Sequence, residues 1–392
     1  MRHIFFYLCI AVNSLFFANI VCDPLLVVVL MVKNESHVMR STLQPFADAG
    51  IDSYLILDTG STDDTIAVTE QFFKDHAIKN GAIAEQPFID FATSRNYALR
   101  CAQERFPHST FLLMLDAEWH LNNVEGLLQF CSEHKSDAQD SYLVRITCPN
   151  LDFFTARLIR AHCNVKFVGV VHEVLDRLTY RRVQSDVFFE LHTTQYGREK
   201  SEKRWLRDRD LLLKEHERNP CDVRTLFYLA QTYHCLEDFE NARIYYTKRC
   251  ALPGWNEEDF MAHYRLGQVY EAQNNWDQAL HYYMQAYSVR PKRAEPLVKI
   301  AQYYLARNKF DLSFLFARQA AEIDYPKDDL LFVEKYLYDY MRHDTLGICS
   351  WYTQRYDIGE AAVRQALEVN PDAPHLHRNL GLYAGRRSAQ TA

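Results

Sequence analysis

The chain has 392 residues, room for two or three domains. Its 44 Lys and Arg against 51 Asp and Glu leave a net charge of −7, which argues against a sequence-independent nucleic-acid binder, because such a protein needs excess cations to displace counterions. A 48% apolar and 24% charged composition excludes a largely disordered chain, and the ten cysteines show neither a CxxC pair nor a regular zinc-ligand spacing.

Residues 4–21 are almost all apolar and follow Arg2, the pattern of a secretory signal peptide or a short signal anchor over 1–22. Asn13 and Asn19 interrupt the run and weaken the anchor reading. Either reading predicts a secretory-pathway lumen or membrane association through this segment.

Residues 23–198 form the next unit. The runs LLVVVLMV (25–32), SYLILD (53–58), TFLLMLD (110–116) and SYLVRI (141–146) are short, continuous and bounded by polar turns, as buried strands are. Amphipathic stretches at 36–49, 62–78 and 92–106 lie between the first three. This alternation predicts an α/β domain with a Rossmann-like, mostly parallel sheet covered by helices on both faces. Ligands of such sheets bind at the carboxyl ends of the strands.

Residues 199–221 are charge-rich and predict a solvated linking helix, with Trp205, Leu206, Leu212 and Leu213 on its packed side. From 222 to 392 a period appears. Leu266, Gly267, Tyr270, Ala279, Tyr283, Ala286 and Pro291 match the 34-residue tetratricopeptide pattern. Shifting forward by 34 gives Ile300, Ala301, Tyr304 and Ala320, and shifting back by 37 gives Leu229, Ala230, Tyr233, Ala242 and Tyr246. Leu346, Gly347, Ala366 and Pro371 begin another unit, and Leu380 with Gly381 a capping helix. An all-α repeat solenoid is expected, with a concave surface suited to extended peptides.

Four polar constellations fall at or beside the strand ends: Lys33-Asn34-Glu35, Asp58-Thr59-Gly60-Ser61-Thr62-Asp63-Asp64-Thr65, Asp90 to Asn96, and Asp116-Ala117-Glu118. A strand-end carboxylate beside a Gly-Ser turn can accept from a base edge or a ribose hydroxyl. Asp116 and Glu118 at i and i+2 can hold a hard cation, Mg²⁺ or Mn²⁺, with positions left for a diphosphate. Arg95 can pair with the same phosphates through its forked guanidinium. The plainer readings are a chance DxE, a helix capped by Ser61 or Thr62, and a surface ion pair at Arg95.

Taken in order, LLVVVLMVKNE, LILDTGSTDDT, FATSRNYAL and LLMLDAEW resemble the family 2 glycosyltransferases of the GT-A fold, over about residues 24–195. The subgroup that joins such a domain to tetratricopeptide repeats, typified by the sublancin S-glycosyltransferase, is the most similar. The resemblance implies an inverting enzyme, a hexosyltransferase that moves a sugar from a nucleoside-diphosphate sugar, expected to be a UDP-sugar. The acceptor would be a peptide, protein or glycan, and the repeats would hold it or a protein partner. By the same resemblance Asp58 contacts the base, Lys33 and Glu35 line the nucleotide pocket, and Arg95 approaches the diphosphate. Asp116 touches ribose and a divalent cation, Mn²⁺ or Mg²⁺, which Glu118 also ligates; the subgroup's D-A-D-E stands here as Asp116-Ala117-Glu118-Trp119. Val170-Val171-His172-Glu173 resembles the subgroup's VHE segment and makes Glu173 the expected catalytic base, with Asp152 the other candidate. His192, in ELHTT (190–194), resembles the histidine that completes the metal shell. Arg157 and Arg160 are weaker candidates for phosphate contact. The alternative is a transferase-like repeat scaffold that has lost catalysis and serves protein–protein interaction.

Overall fold

The computed structural model describes residues 23–148, 151–177, 179, 181–191 and 197–391. The leader over 1–22 and His192 lie outside the described residues. No helix among the described residues is long and apolar enough to cross a membrane.

The first part runs β1 (Leu26–Val32), α1 (Met39–Asp48), β2 (Ser53–Asp58), α2 (Thr65–Asp75), β3 (Asn80–Glu85), α3 (Phe91–Arg105), β4 (Phe111–Leu115), β5 (Trp119–Asn122), α4 (Val124–Glu133), β6 (Ser141–Cys148), β7 (Leu151–Arg160), β8 (Phe167–Val168), β9 (Val174–Leu175) and β10 (Phe188–Leu191). β1 is buried on both faces because its side chains alternate between two apolar layers. Val28 and Leu30 join Leu43 and Phe46 of α1 and Phe72 of α2. Val27 and Val29 join Ala98, Leu99 and Ala102 of α3 on the other side. Both faces of this half are therefore covered by helices, as the alternation predicts.

The sheet order is β3-β2-β1-β4-β7-β6-β10-β5. The first four strands form the expected parallel set and β10 runs parallel to β6, but β7 runs antiparallel to both β4 and β6, and β5 antiparallel to β10. The sheet is mixed rather than mostly parallel. The β6–β7 pair is one cause, since two neighbouring strands separated by only two positions of chain must run in opposite directions.

Helix α5 (Gly197–Arg218) links this part to the repeats. Leu212 is buried as expected, whereas Leu206 is exposed. The repeats follow as α6 (Val223–Cys235) with α7 (Phe239–Cys250), α8 (Asn256–Ala272) with α9 (Trp276–Val289), α10 (Glu295–Ala306) with α11 (Phe310–Ala321), and α12 (Arg342–Tyr352) with α13 (Tyr356–Val369), closed by α14 (Pro374–Thr391). The recurring small residues sit where paired helices meet. A Cβ on Gly267 of α8 would lie 2.6 Å from the Tyr283 ring of α9. Ala279, Tyr283 and Ala286 are buried along that seam.

One break in the periodicity joins the two parts. Between α11 and a five-residue π-helix, Leu337–Met341, the chain leaves the array and lies along β7. Val333 and Asp152 exchange main-chain hydrogen bonds of 3.1 and 3.3 Å, and Phe154 N donates to Leu330 O at 3.0 Å. Arg182 donates to the carbonyls of Lys327 and Asp328, both at 2.9 Å. On the repeat side, fully buried Arg293 binds Glu295, Asp329 and the carbonyls of Leu331 and Phe332. Glu257 accepts from the N–H groups of Leu330 and Leu331 at 2.7 and 2.8 Å. The buried Arg293 guanidinium is thus paired with carboxylates and also met by backbone carbonyls, the arrangement that makes burial of an ion tolerable.

Candidate functional site

The loops after β1 and β2 are stitched together at the carboxyl edge of the sheet. Asn34, with φ 59°, accepts from Thr62 N at 2.7 Å, and its own N–H donates to Ser61 Oγ at 2.9 Å. Glu35 N donates to Thr65 Oγ1 at 2.8 Å, and Ser36 N to Asp63 Oδ2 at 3.2 Å. Burial pushes the Asp63 carboxyl up, but the hydrogen bonds from Thr65 and Ser36 together outweigh it and draw the group down to about 2. Asp58 ends β2 and is buried; its Oδ2 accepts from the N–H groups of Gly60 and Ser61 at 3.0 and 2.9 Å, and its Oδ1 from the Ser61 hydroxyl. Ser61 and Thr62 do not cap α2: its N-cap is Asp64, which makes no side-chain cap bond. Their hydroxyls serve the turn instead. Lys33 is exposed on this edge.

Helix α3 begins at Asp90, whose carboxylate accepts from Thr93 N at 2.7 Å and from Thr93 Oγ1 at 2.8 Å. This cap sets the first turn and sends Arg95 inward. Arg95 is no surface ion pair: its side chain is 2% exposed. It donates through Nη2 to Asp116 Oδ1, beyond the end of β4, and through Nε to Glu173 Oε1. Arg157 joins from β7, with Nη2 at 3.5 Å from Asp116 Oδ2 and Nη1 at 3.4 Å from Glu173 Oε1. Two guanidiniums and two carboxylates thus form a closed square. Trp119 and Phe167 flank it, their ring centroids 4.8 and 5.7 Å from the Arg157 carbon, with Arg95 5.8 Å from Phe167. Although burial opposes it, the facing Arg95 and Arg157 hold the Asp116 carboxyl below the usual carboxylate range. Burial and the nearby Arg95 lower the Arg157 guanidinium.

The structure therefore gathers Arg95, Asp116 and Glu173 into one cluster and adds Arg157. Glu173 is buried, and its Oε1 faces both guanidiniums. Asp152 lies elsewhere, accepting from Tyr325 OH at 3.0 Å on the strand that meets the repeat loop. Arg160 is structural, donating to the carbonyls of Gln139, Lys135 and His134. The register explains why Arg157 reaches the site. Leu113 pairs with Leu158 across an antiparallel ladder, so the residue before Leu158 lies toward the carboxyl end of β4. The β6–β7 hairpin after β4 was the available sequence signal.

The square bears on a cation site. Glu118 follows Asp116 at i+2, but each Asp116 oxygen already faces a guanidinium. Among the described residues no group of three or more His, Cys, Asp and Glu side chains converges to hold a metal ion. As these side chains stand, a cation on Asp116 would be set against two positive charges, and His192, the third expected ligand, lies outside the described residues. The square does retain unused donors: Arg95 Nη1 and Arg157 Nε are buried and have no hydrogen-bond partner among the described residues. Buried N–H groups of this kind are costly to leave unmet, and an incoming anion would satisfy them.

The repeats border this cluster directly. Val171, two residues before Glu173, is buried in the same apolar cluster as Leu212 of α5 and Phe227, Tyr228 and Leu229 of α6, with Phe91 packed against it. His172 has φ 51°, a left-handed conformation that non-glycine residues seldom adopt. Its ring stacks on Tyr228 with centroids 4.2 Å apart and planes 18° from parallel. Its carbonyl accepts from Arg224 Nη2 at 2.8 Å.

Residues 260–293 and 350–391 match family models described as tetratricopeptide repeat. The C-terminal part is an array of such repeats. No curated protein matches the chain. Among solved structures, MamA is similar at 16% identity over 46% of this chain and 96% of that one, with a TM-score of 0.36. The C-terminal part of a TPR repeat-containing protein from Cytophaga hutchinsonii is similar at 12% identity over 49% of this chain and 69% of that one, with a TM-score of 0.40. The first TPR of Spaghetti (RPAP3), bound to an HSP90 peptide, is similar at 15% identity over 33% of this chain and 95% of that one, with a TM-score of 0.27. The repeats suggest a protein partner and indicate no nucleic acid.

Proposed function

We propose that the chain binds a nucleoside-diphosphate sugar at the carboxyl edge of the α/β sheet and transfers the sugar, as an inverting glycosyltransferase, to an acceptor presented by the repeats. The observation that carries this reading is the buried pair Arg95 and Arg157, each with an unmet N–H, beside Asp116 at the end of β4. Two forked cations in a weakly solvated site suit a diphosphate. In this reading Asp58 and its turn shape the base end, Lys33 and Glu35 border the nucleotide, and Asp116 turns toward ribose once phosphate occupies the arginines. Glu173 holds both guanidiniums in place. No step is routed through a cation. The repeats would take a peptide, protein or glycan acceptor, or a separate protein partner.

A second reading is a protein-interaction scaffold whose α/β part does not catalyse. The repeat matches favour it directly, and the engagement of Asp116 by two arginines agrees with it. Thermal unfolding of the full chain with UDP, GDP, ADP or no nucleotide, each with and without Mn²⁺, separates the two. A ligand at a hundred times its dissociation constant adds about 2.7 kcal/mol of stability. A shift with one nucleotide that disappears in Arg95→Ala supports the donor site. No shift at millimolar nucleotide leaves the scaffold.

A further inference from the structure

The segment after β7 folds back onto α3 as a short hairpin, in which Phe167 of β8 pairs with Leu175 of β9 and Val168 with Val174. Glu173 directly precedes β9, so the hairpin carries that corner of the square. Helix α3, which carries Arg95, grips the hairpin twice. Phe91 N, an amide of the first turn with no partner inside the helix, donates to Val170 O at 3.2 Å. Asn96 then clasps the main chain of Phe167 from both sides: its Nδ2 donates to Phe167 O and its Oδ1 accepts from Phe167 N, each at 2.8 Å. The two bonds fix which way the amide points, since reversing it would set donor against donor and acceptor against acceptor. Phe167 is 3% exposed, and its ring lies against both guanidiniums of the square. The residue next to Arg95 thus places the ring that Arg95 and Arg157 share.

We propose that Asn96 is a positioning residue of the donor site. By locking the hairpin onto α3 it holds the Phe167 ring and Glu173 against Arg95 and Arg157, so that both guanidiniums are aligned before a diphosphate arrives. The proposal rests on the donor-site reading above. Two guanidiniums brought together in a buried site repel one another. Asp116 and Glu173 offset that repulsion, and the negative face of the Phe167 ring adds to their effect. With the clasp gone, the hairpin is free to lift, and the arginines must be ordered anew when the ligand binds. That ordering weakens binding without removing any group that touches the ligand.

Calorimetric titration of the full chain with UDP, GDP and ADP, read beside urea unfolding, tests this. Gln103 gives the comparison. It too lies on α3 and donates from Nε2 to the segment after β7, at Ala161 O, 2.6 Å away. Ala161 N in turn donates to Thr110 O, ahead of β4 and at the opposite edge of the sheet from Asp116. Asn96→Ala and Gln103→Ala should lower the urea midpoint to a similar extent, but only Asn96→Ala should weaken nucleotide binding, by about tenfold. A purely structural role would move the two variants together. Phe167→Leu should weaken binding as well, and the double variant Asn96→Ala, Phe167→Leu by less than the product of the two single losses, since both act through one ring. The proposal is overturned if folded Asn96→Ala or folded Phe167→Leu binds within about twofold of wild type, if Gln103→Ala weakens binding equally, or if the two losses simply multiply. Should Asn96→Ala not fold, Phe167→Leu decides by the same limit. A wild type that binds none of the three nucleotides overturns the donor-site reading and this proposal with it, whereas the variant results bear on Asn96 alone.

Discussion

Arg224, in the first repeat helix, donates to the main-chain oxygen of His172, the residue next to Glu173. The ring of that same histidine lies flat on Tyr228, one helical turn beyond Arg224. The repeats therefore fix the backbone that sets one corner of the Arg95–Asp116–Arg157–Glu173 square.

Removing this tie should loosen both halves. Arg224→Ala leaves a carbonyl without its donor, and Tyr228→Ala strips the stack from a strained residue. Each is expected to cost about 1–3 kcal/mol in urea unfolding and to weaken any nucleotide binding. Values within half a kcal/mol of wild type for both would show that the loop holds its shape unaided.

Arg293 is fully buried and satisfies Glu295, Asp329 and two carbonyls of the loop that lies on β7. Arg293→Ala would leave the buried Glu295 carboxylate with Tyr338 OH in place of its ion partner and weaken the hold on Asp329, which keeps Arg290. The expected loss is about 3–5 kcal/mol, read from chemical denaturation. A loss below about 1 kcal/mol would mean that solvent reaches those carboxylates and the network carries little.

Glycines in the repeats divide into two kinds. Gly267→Ala drives a methyl into the Tyr283 ring and should destabilise by about 1–3 kcal/mol. Gly381, in α14, has nothing within 4 Å of its would-be Cβ. Gly381→Ala should be neutral or gain up to about 1 kcal/mol from helix propensity. The reverse order of the two melting temperatures would contradict the packing described.

Acid should unfold the chain partly through its histidines. Burial lowers His234 and His343 to about 4, from 6.5 in the unfolded chain. Between those values the unfolded state binds more protons, so stability is full above about pH 6.5 and is lost as pH falls toward 4. His234→Phe should flatten this decline by roughly one or two kcal/mol. An unchanged pH dependence of unfolding in that variant would rule out His234 as a contributor.

The repeats were legible because Leu266, Gly267, Ala279 and Tyr283 recur for a steric reason that sequence displays directly. The buried parallel strands were legible for a similar reason: Val27 to Leu30 meet apolar layers on both sides. β3 was not, because NGAIAE is a half-buried edge strand that takes its register from β2 rather than from its own apolar content. Arg95, Asp116 and Glu173 were read individually, but their union was not. It depends on Arg157, whose placement follows from an antiparallel pairing that strand-like runs alone do not reveal. Arg293 and Asp329 drew no notice in the sequence, since burial of a paired ion leaves no mark on hydropathy.

The hydrogen bond from Tyr325 to Asp152 closes across 173 positions of chain. During synthesis, β7 emerges long before the segment that completes its exposed margin. The first residues of β7, beyond the reach of β4, must therefore wait with one edge unpaired until four-fifths of the polypeptide has been made. Closing so wide a loop is slow compared with stacking one repeat helix on the next. Chains arrested before residue 325 should accordingly be more readily cleaved by protease around β7 than finished ones.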